Sequence, residues 1–206
     1  MPGQLSFFSA GTRPPAYADL EGLLAGPGQV VRRGPTARIS VVLAAAPKWR
    51  VAALTDSLAA LGLVAEVAAT GGRGATVVRT PFAAELVPLA ERWTVGAAKR
   101  PPPGFRLDGA RLRWWCLAAG SQDTAGYSLA LDPAVDFSWA ALGAALAGAG
   151  VPGTLVGPRA LGPAYRVLGV RRLARLRELV GDPPPEAGPG DWPVGEPRSQ
   201  QVPGRG

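Results

Sequence analysis

The order of elements repeats on either side of a proline-rich break, and this constrains the fold more than any other feature of the chain. Lys99-Arg100 leads into Pro101-Pro102-Pro103-Gly104, which suits an extended linker. Before it, residues 17–25 read as a short helix stopped by Gly26-Pro27-Gly28. Gln29–Arg33 and Thr36–Leu43 read as a strand pair around Gly34-Pro35. In the second of these strands Ile39, Val41 and Leu43 alternate with Arg38 and Ser40. Residues 49–61 space Val51, Leu54, Leu58 and Leu61 three or four apart, which predicts a helix. A second strand pair, 63–69 and 75–80, flanks a turn at Gly71-Gly72-Arg73-Gly74. Residues 82–93 close the half as a helix with Leu86, Leu89 and Trp93 on one stripe. After the break the order recurs: helix 110–119, strand 127–131, helix 139–149, strands 153–156 and 165–168, and helix Val170–Val180. The strand needed to complete it is expected within 120–127. The predicted organisation is a flexible N-terminus (1–15), a first repeat (16–98), a linker (99–108), a second repeat (109–181) and a disordered Pro/Gly tail (182–206).

Composition removes several function classes. The chain of 206 residues is 47% hydrophobic and 18% charged, enough apolar material for a core. Its formal charge of +7 favours an anionic partner such as nucleic acid. With no histidine, Ser–His–Asp and Cys–His catalysis and His-containing zinc sites are excluded. The lone Cys116 excludes an internal disulfide and a multi-cysteine metal site. No basic-then-apolar leader is read at the N-terminus. The most apolar stretch, 137–151, falls short of the ~20 residues of a membrane span. A soluble, cytoplasmic protein without membrane association or cofactor is expected.

Two αββαββα units, each opening with a helix that ends in glycine, resemble the LAGLIDADG homing endonucleases, and more closely the LAGLIDADG-like domain of WhiA-type bacterial regulators. The nine-residue motif aligns with Leu20-Glu21-Gly22-Leu23-Leu24-Ala25-Gly26-Pro27-Gly28 and with Leu112-Arg113-Trp114-Trp115-Cys116-Leu117-Ala118-Ala119-Gly120. The resemblance covers about residues 17–181. It implies an α+β fold of two pseudo-symmetric repeats, whose antiparallel sheets form a saddle on DNA. It also implies side-by-side motif helices, brought close at Gly22 and Gly26. Trp114 stands where the family usually has a small residue at that contact. Nuclease members place a magnesium-binding carboxylate immediately before each closing glycine. Those positions here are Pro27 and Ala119, so neither a catalytic nor a metal site is expected. Asp19, Glu21 and Asp123 lie nearby and are read as structural, the first two as first-turn helix charges.

The remaining candidates sort by chemistry. The glycine string 71–74 lacks a following Lys-Ser or Lys-Thr, so a hairpin turn displaces a phosphate loop. Cys116 is expected to be a buried small hydrophobe. Trp49, Trp93, Trp139 and one of Trp114 and Trp115 are expected in the core, while Trp192 has no core to join and is a candidate docking residue. Arg171, Arg172, Arg175 and Arg177 form the solvated rim of the closing helix. Arg32, Arg33, Arg38, Arg73 and Arg79, with Arg159 and Arg166 in the second half, are the candidate DNA-binding residues, because the resemblance places their strands on the saddle. The expected function is a non-catalytic, regulatory, duplex-DNA-binding protein, monomeric by internal pseudo-symmetry. The alternative is a protein-interaction scaffold on the same fold.

Overall fold

The structure, a computed structural model, describes residues 10, 13–44, 46–70, 74–122, 126–157, 162–188 and 190–193. A 3-10 turn, Tyr17–Leu20, runs into α1 (Glu21–Ala25). Then come β1 (Gln29–Arg33), β2 (Thr36–Leu43), α2 (Lys48–Ala59), β3 (Glu66–Ala69), β4 (Thr76–Arg79) and α3 (Val87–Trp93). A small hairpin, β5 (Thr94–Val95) and β6 (Ala98–Lys99), precedes the linker. The second half is α4 (Gly109–Ala119), β7 (Gly120–Gln122), β8 (Gly126–Ala130), α5 (Trp139–Gly148), β9 (Thr154–Val156), β10 (Ala164–Leu168) and α6 (Val170–Val180). The strand expected within 120–127 is β7, which starts on the closing glycine itself. Its Gly-Ser-Gln sequence has little strand propensity, and pairing with β8 imposes the conformation.

Each half forms an antiparallel four-stranded sheet, in the order β1-β2-β4-β3 and β7-β8-β10-β9. The same order in both halves is the internal repeat seen as topology. Because side chains alternate across a strand, the register sorts them into two faces. In the first sheet Val30 pairs with Ile39, and Val41 with Val78, and all four are buried. In the second sheet Leu129 pairs with Tyr165, and Tyr127 with Val167, on the corresponding core face. The opposite face is open at Val31 and Val42 of the first sheet and at Ser121 and Thr154 of the second, which are exposed, while Val77 on the first is buried.

The two halves meet at α1 and α4. A Cβ added to Gly22 would collide with the carbonyl oxygen of Arg111 and lie 2.8 Å from the Trp114 Cβ. One on Gly26 would lie 2.9 Å from Trp115 Cδ1. The bulk of Trp114 is thus accommodated because its opposite number is glycine. Both Trp114 and Trp115 are buried, so the expectation of only one is corrected. On α2 the buried stripe is Trp49, Arg50, Ala53, Leu54 and Leu58, shifted from the predicted one; Val51 is only partly buried.

Two boundaries also change. Lys99, placed in the linker by its sequence, is buried and ends β6. The tail is not loose from residue 182. Trp192 is only 3% exposed, its indole Nε1 donates to the Gly181 carbonyl at 2.9 Å, and the Arg113 guanidinium stacks 5.1 Å from its ring. The arginine is itself anchored to the Val180 and Asp182 carbonyls. Trp192 therefore joins the core through α4 and the end of α6, and residues 194–206 lie outside the described residues.

Candidate nucleic-acid interface

The open face of the first sheet collects Gln29, Val31 and Arg33 from β1, Arg38, Ser40 and Val42 from β2, Arg79 from β4 and Glu66 from β3. Ser40, Arg79 and Glu66 are directly paired in one row. Val31 and Val42 are 53% and 54% exposed, so the face offers apolar as well as cationic contacts. Phe82, just beyond β4, supports two of the arginines. The Arg38 guanidinium lies 4.7 Å from its ring centroid and that of Arg33 lies 5.9 Å away. Stacking of this kind holds a guanidinium in place and leaves its in-plane N–H donors for an anion. Among the described residues, Arg33, Arg38 and Arg79 form no ion pair, and their charges are available to a ligand.

Arg32 does not join them. It pairs with Ala37 on the helix-covered face, and its Nη1 meets Glu91 Oε1 of α3 at 2.7 Å. Its candidacy for the saddle is corrected by the register. Arg73, Arg159 and Asp123 lie outside the described residues. Arg166 is half-buried on the open face of the second sheet, paired across to Ser128 and Thr154. Apart from Arg166, the described strand residues of that face carry no charge. The arginines brought together are thus those of the first sheet.

Beside the sheets, a buried cation closes the C-terminal end of each motif helix. Lys99 Nζ donates to the carbonyls of Gly26 and Gly28, both at 2.8 Å, on either side of Pro27. It also meets Asp132 Oδ2 of the second half at 2.9 Å. Arg50 donates to the carbonyls of Cys116, Leu117 and Gly120 at 2.9, 2.8 and 2.6 Å, around Ala119. Carbonyls at a helix end carry partial negative charge and lack intrahelical donors, so an enclosed cation satisfies both needs. Burial lowers the pKa of both Lys99 and Arg50, and for Lys99 the hydrogen bond and charge of Asp132 oppose it. The positions before the closing glycines thus carry no oxygen ligand in their side chains, and the carbonyls around them are already bound to cations of the chain. Among the described residues no group of three or more His, Cys, Asp or Glu is placed to hold a metal ion.

These cations were not legible as functional in a linear reading, but Arg50 had a signal. It stands four and eight positions before Leu54 and Leu58, on the buried stripe. Lys99 had none, since only the Gly96 turn of its hairpin returns it to α1.

The acids near α1 are structural, through ion pairs more than through the helix dipole. Glu21 is held by Arg111 Nε at 2.7 Å and Arg92 Nη2 at 3.1 Å. Asp19 accepts from the Ala16 N–H at 2.9 Å and pairs with Arg13. Cys116 is fully buried, which pushes its thiol up to about 12 and leaves it protonated at neutral pH.

Two αββαββα repeats joined through close-packed motif helices, each with an open sheet face, constitute a LAGLIDADG-like fold. In line with this, the chain is similar to the homing endonuclease I-WcaI bound to its DNA recognition sequence, with 10% identity over 86% of this chain and 82% of that one, at a TM-score of 0.59. It is also similar to the N-terminal LAGLIDADG domain of WhiA, with 10% identity over 90% of this chain and 96% of that one, at a TM-score of 0.52. No family model and no curated protein sequence matches the chain. No helix among the described residues is long and apolar enough to cross a membrane.

Proposed function

We propose that this protein binds duplex DNA without cutting it, as a regulatory factor, through the open face of its first sheet. The observation that carries this reading is the convergence of Arg33, Arg38 and Arg79 on one exposed face, two of them stacked on Phe82. Guanidiniums in such a row neutralise phosphates, and Ser40 and the exposed valines add groups suited to base edges and thymine methyls. Arg73, Arg159 and Arg166 are candidates to extend the contact. The absence of cleavage rests on chemistry. The side chains of Pro27 and Ala119 supply no oxygen ligand, and Lys99 and Arg50 place positive charge where a divalent cation would need negative charge. The two repeats supply within a monomer the symmetry a dimer would bring, and the protein works in the cytoplasm.

The test is salt-titrated binding to duplex DNA. Each neutralised phosphate contributes about −0.9 to the slope of log K against log salt. Arg38→Ala with Arg79→Ala should weaken binding to any sequence and make the slope shallower by about two, whereas Arg32→Ala should leave it unchanged. Supercoiled plasmid incubated with the protein and magnesium should remain uncut. An unchanged slope in the double variant, or no binding at low salt, overturns the reading in favour of the protein scaffold.

A further inference from the structure

A second surface, made of none of the open-face strand residues, has the composition of a docking groove. It is a cleft of about 1080 Å³ between the linker, the outer side of α5 and the last turns of α6. Its floor is unusual for a solvent-facing helix. The sequence of α5, WAALGAALAG, contains no charged residue, and its core side is occupied by Leu142, Ala145 and Leu146. That leaves Ala141, Ala144 and Gly148 exposed, three and four residues apart, as one smooth strip. A helix bordering water ordinarily carries polar side chains on that side, as α6 does with Arg171, Arg172 and Arg177. The linker prolines 101–103 form the facing wall, held by a turn in which the Phe105 N–H donates to the Pro102 carbonyl at 3.1 Å, so the wall has little entropy left to lose on binding.

The rim sets the sign of the occupant. Arg100 stacks on Phe137 at 5.0 Å from the ring centroid, and Arg106 is exposed. Among the described residues neither is in an ion pair. The other arginines that line the cleft are already paired, Arg92 with Glu21, Arg111 with Glu21 and with Asp108, the one acid of the lining, and Arg175 with Glu178. Two guanidiniums therefore face the cleft with their charge uncompensated, above a floor without polar groups. A strip of small residues lets a second helix approach closely, as Gly22 lets α1 approach α4. The cleft volume is about that of two turns of α-helix with side chains.

We propose that this groove binds an amphipathic acidic helix of a protein partner, its apolar stripe on α5 and its carboxylates on Arg100 and Arg106. The site is separate from the DNA-binding reading and does not depend on it.

Fluorescence anisotropy with the full chain tests this, using a labelled synthetic helix with Leu and Ala on one face and Glu on the other. The expected result is saturable binding, at least tenfold weaker for the same peptide with Lys in place of Glu, and at least tenfold weaker for the Ala144→Trp variant, which fills the floor. Arg100→Glu with Arg106→Glu should have a similar effect and reduce the salt dependence. Arg38→Ala with Arg79→Ala should leave peptide binding unchanged. Ala144 is exposed, so Ala144→Trp should keep the parent melting temperature, which separates groove filling from misfolding. Equal binding of a Glu-rich peptide lacking an apolar face would overturn the proposal, as would unaltered binding by Ala144→Trp or loss of binding in the Arg38/Arg79 variant. Binding only after removal of residues 1–9 would also overturn it and assign the groove to the chain's own N-terminal segment, since the Ala10 N–H bonds to the Leu179 carbonyl at the groove's edge.

Discussion

Lys99 Nζ lies 2.9 Å from Asp132 Oδ2, with both groups buried, and this pair ties the end of the first repeat to the second. The ammonium closes the end of α1 at Gly26 and Gly28. The carboxylate also accepts from the Ala134 N–H at 3.0 Å. The pair is therefore both a helix cap and a clasp between halves.

Removing one member of such a pair leaves an uncompensated buried charge. Lys99→Met is expected to destabilise the fold by about 3–5 kcal/mol, because Asp132 and two carbonyls lose their donor together. Lys99→Met with Asp132→Leu should recover part of this loss. Denaturant unfolding of both singles and the double measures the coupling, and strict additivity would show that the pair does not act as a unit.

The same pair predicts an acid dependence. Burial pushes the Asp132 carboxyl up, but the hydrogen bond and charge of Lys99, with the Ala134 and Gln29 hydrogen bonds, outweigh it and leave the pKa below the ordinary 3.8. A carboxyl held lower in the folded than in the unfolded state contributes stability that is full above the unfolded value and is lost as pH falls through the folded one. Between about pH 5 and pH 2, stability should therefore fall more steeply in the parent protein than in Asp132→Asn. Parallel melting curves across that range check it.

Gly22→Ala should force α1 and α4 apart, because the new Cβ meets backbone at Arg111 and cannot be relieved by a rotamer change. A loss of about 1–3 kcal/mol is expected from overpacking. Gly34→Ala is the contrast: nothing lies within 4 Å of the added Cβ, so only the positive φ of 57° is penalised. Denaturant midpoints of the two variants compare them.

Trp192→Ala should cost about 3 kcal/mol, the scale for emptying a buried aromatic site. Truncation after Gly181 should cost at least as much, since it also removes the Asp182 carbonyl that binds Arg113. A melting temperature unchanged in both would mean that Trp192 does not dock in solution.

The order of elements was legible in the sequence because its signals are short-range. Alternation in Thr36–Leu43, the apolar stripe of Val170–Val180 and the glycine and proline stops at 26–28 each act within a few residues, where backbone geometry is decided. The repeat itself, and Pro27 and Ala119 at the two motif positions, could be read in the same way. Which face a side chain takes could not. Gln29-Val30-Val31-Arg32-Arg33 places two valines and two arginines side by side, so either register gives a plausible strand; pairing of Val30 with Ile39 puts Arg33 on the open face and Arg32 on the covered one. Lys99, Arg50 and Trp192 are decided later still. A lysine and an arginine read as solvated, and a tryptophan among prolines reads as orphaned, until distant carbonyls and rings enclose them. Burial of a charge or a tail is favourable only when partners from other elements arrive together, and that condition is set by tertiary packing and not by neighbours in the chain.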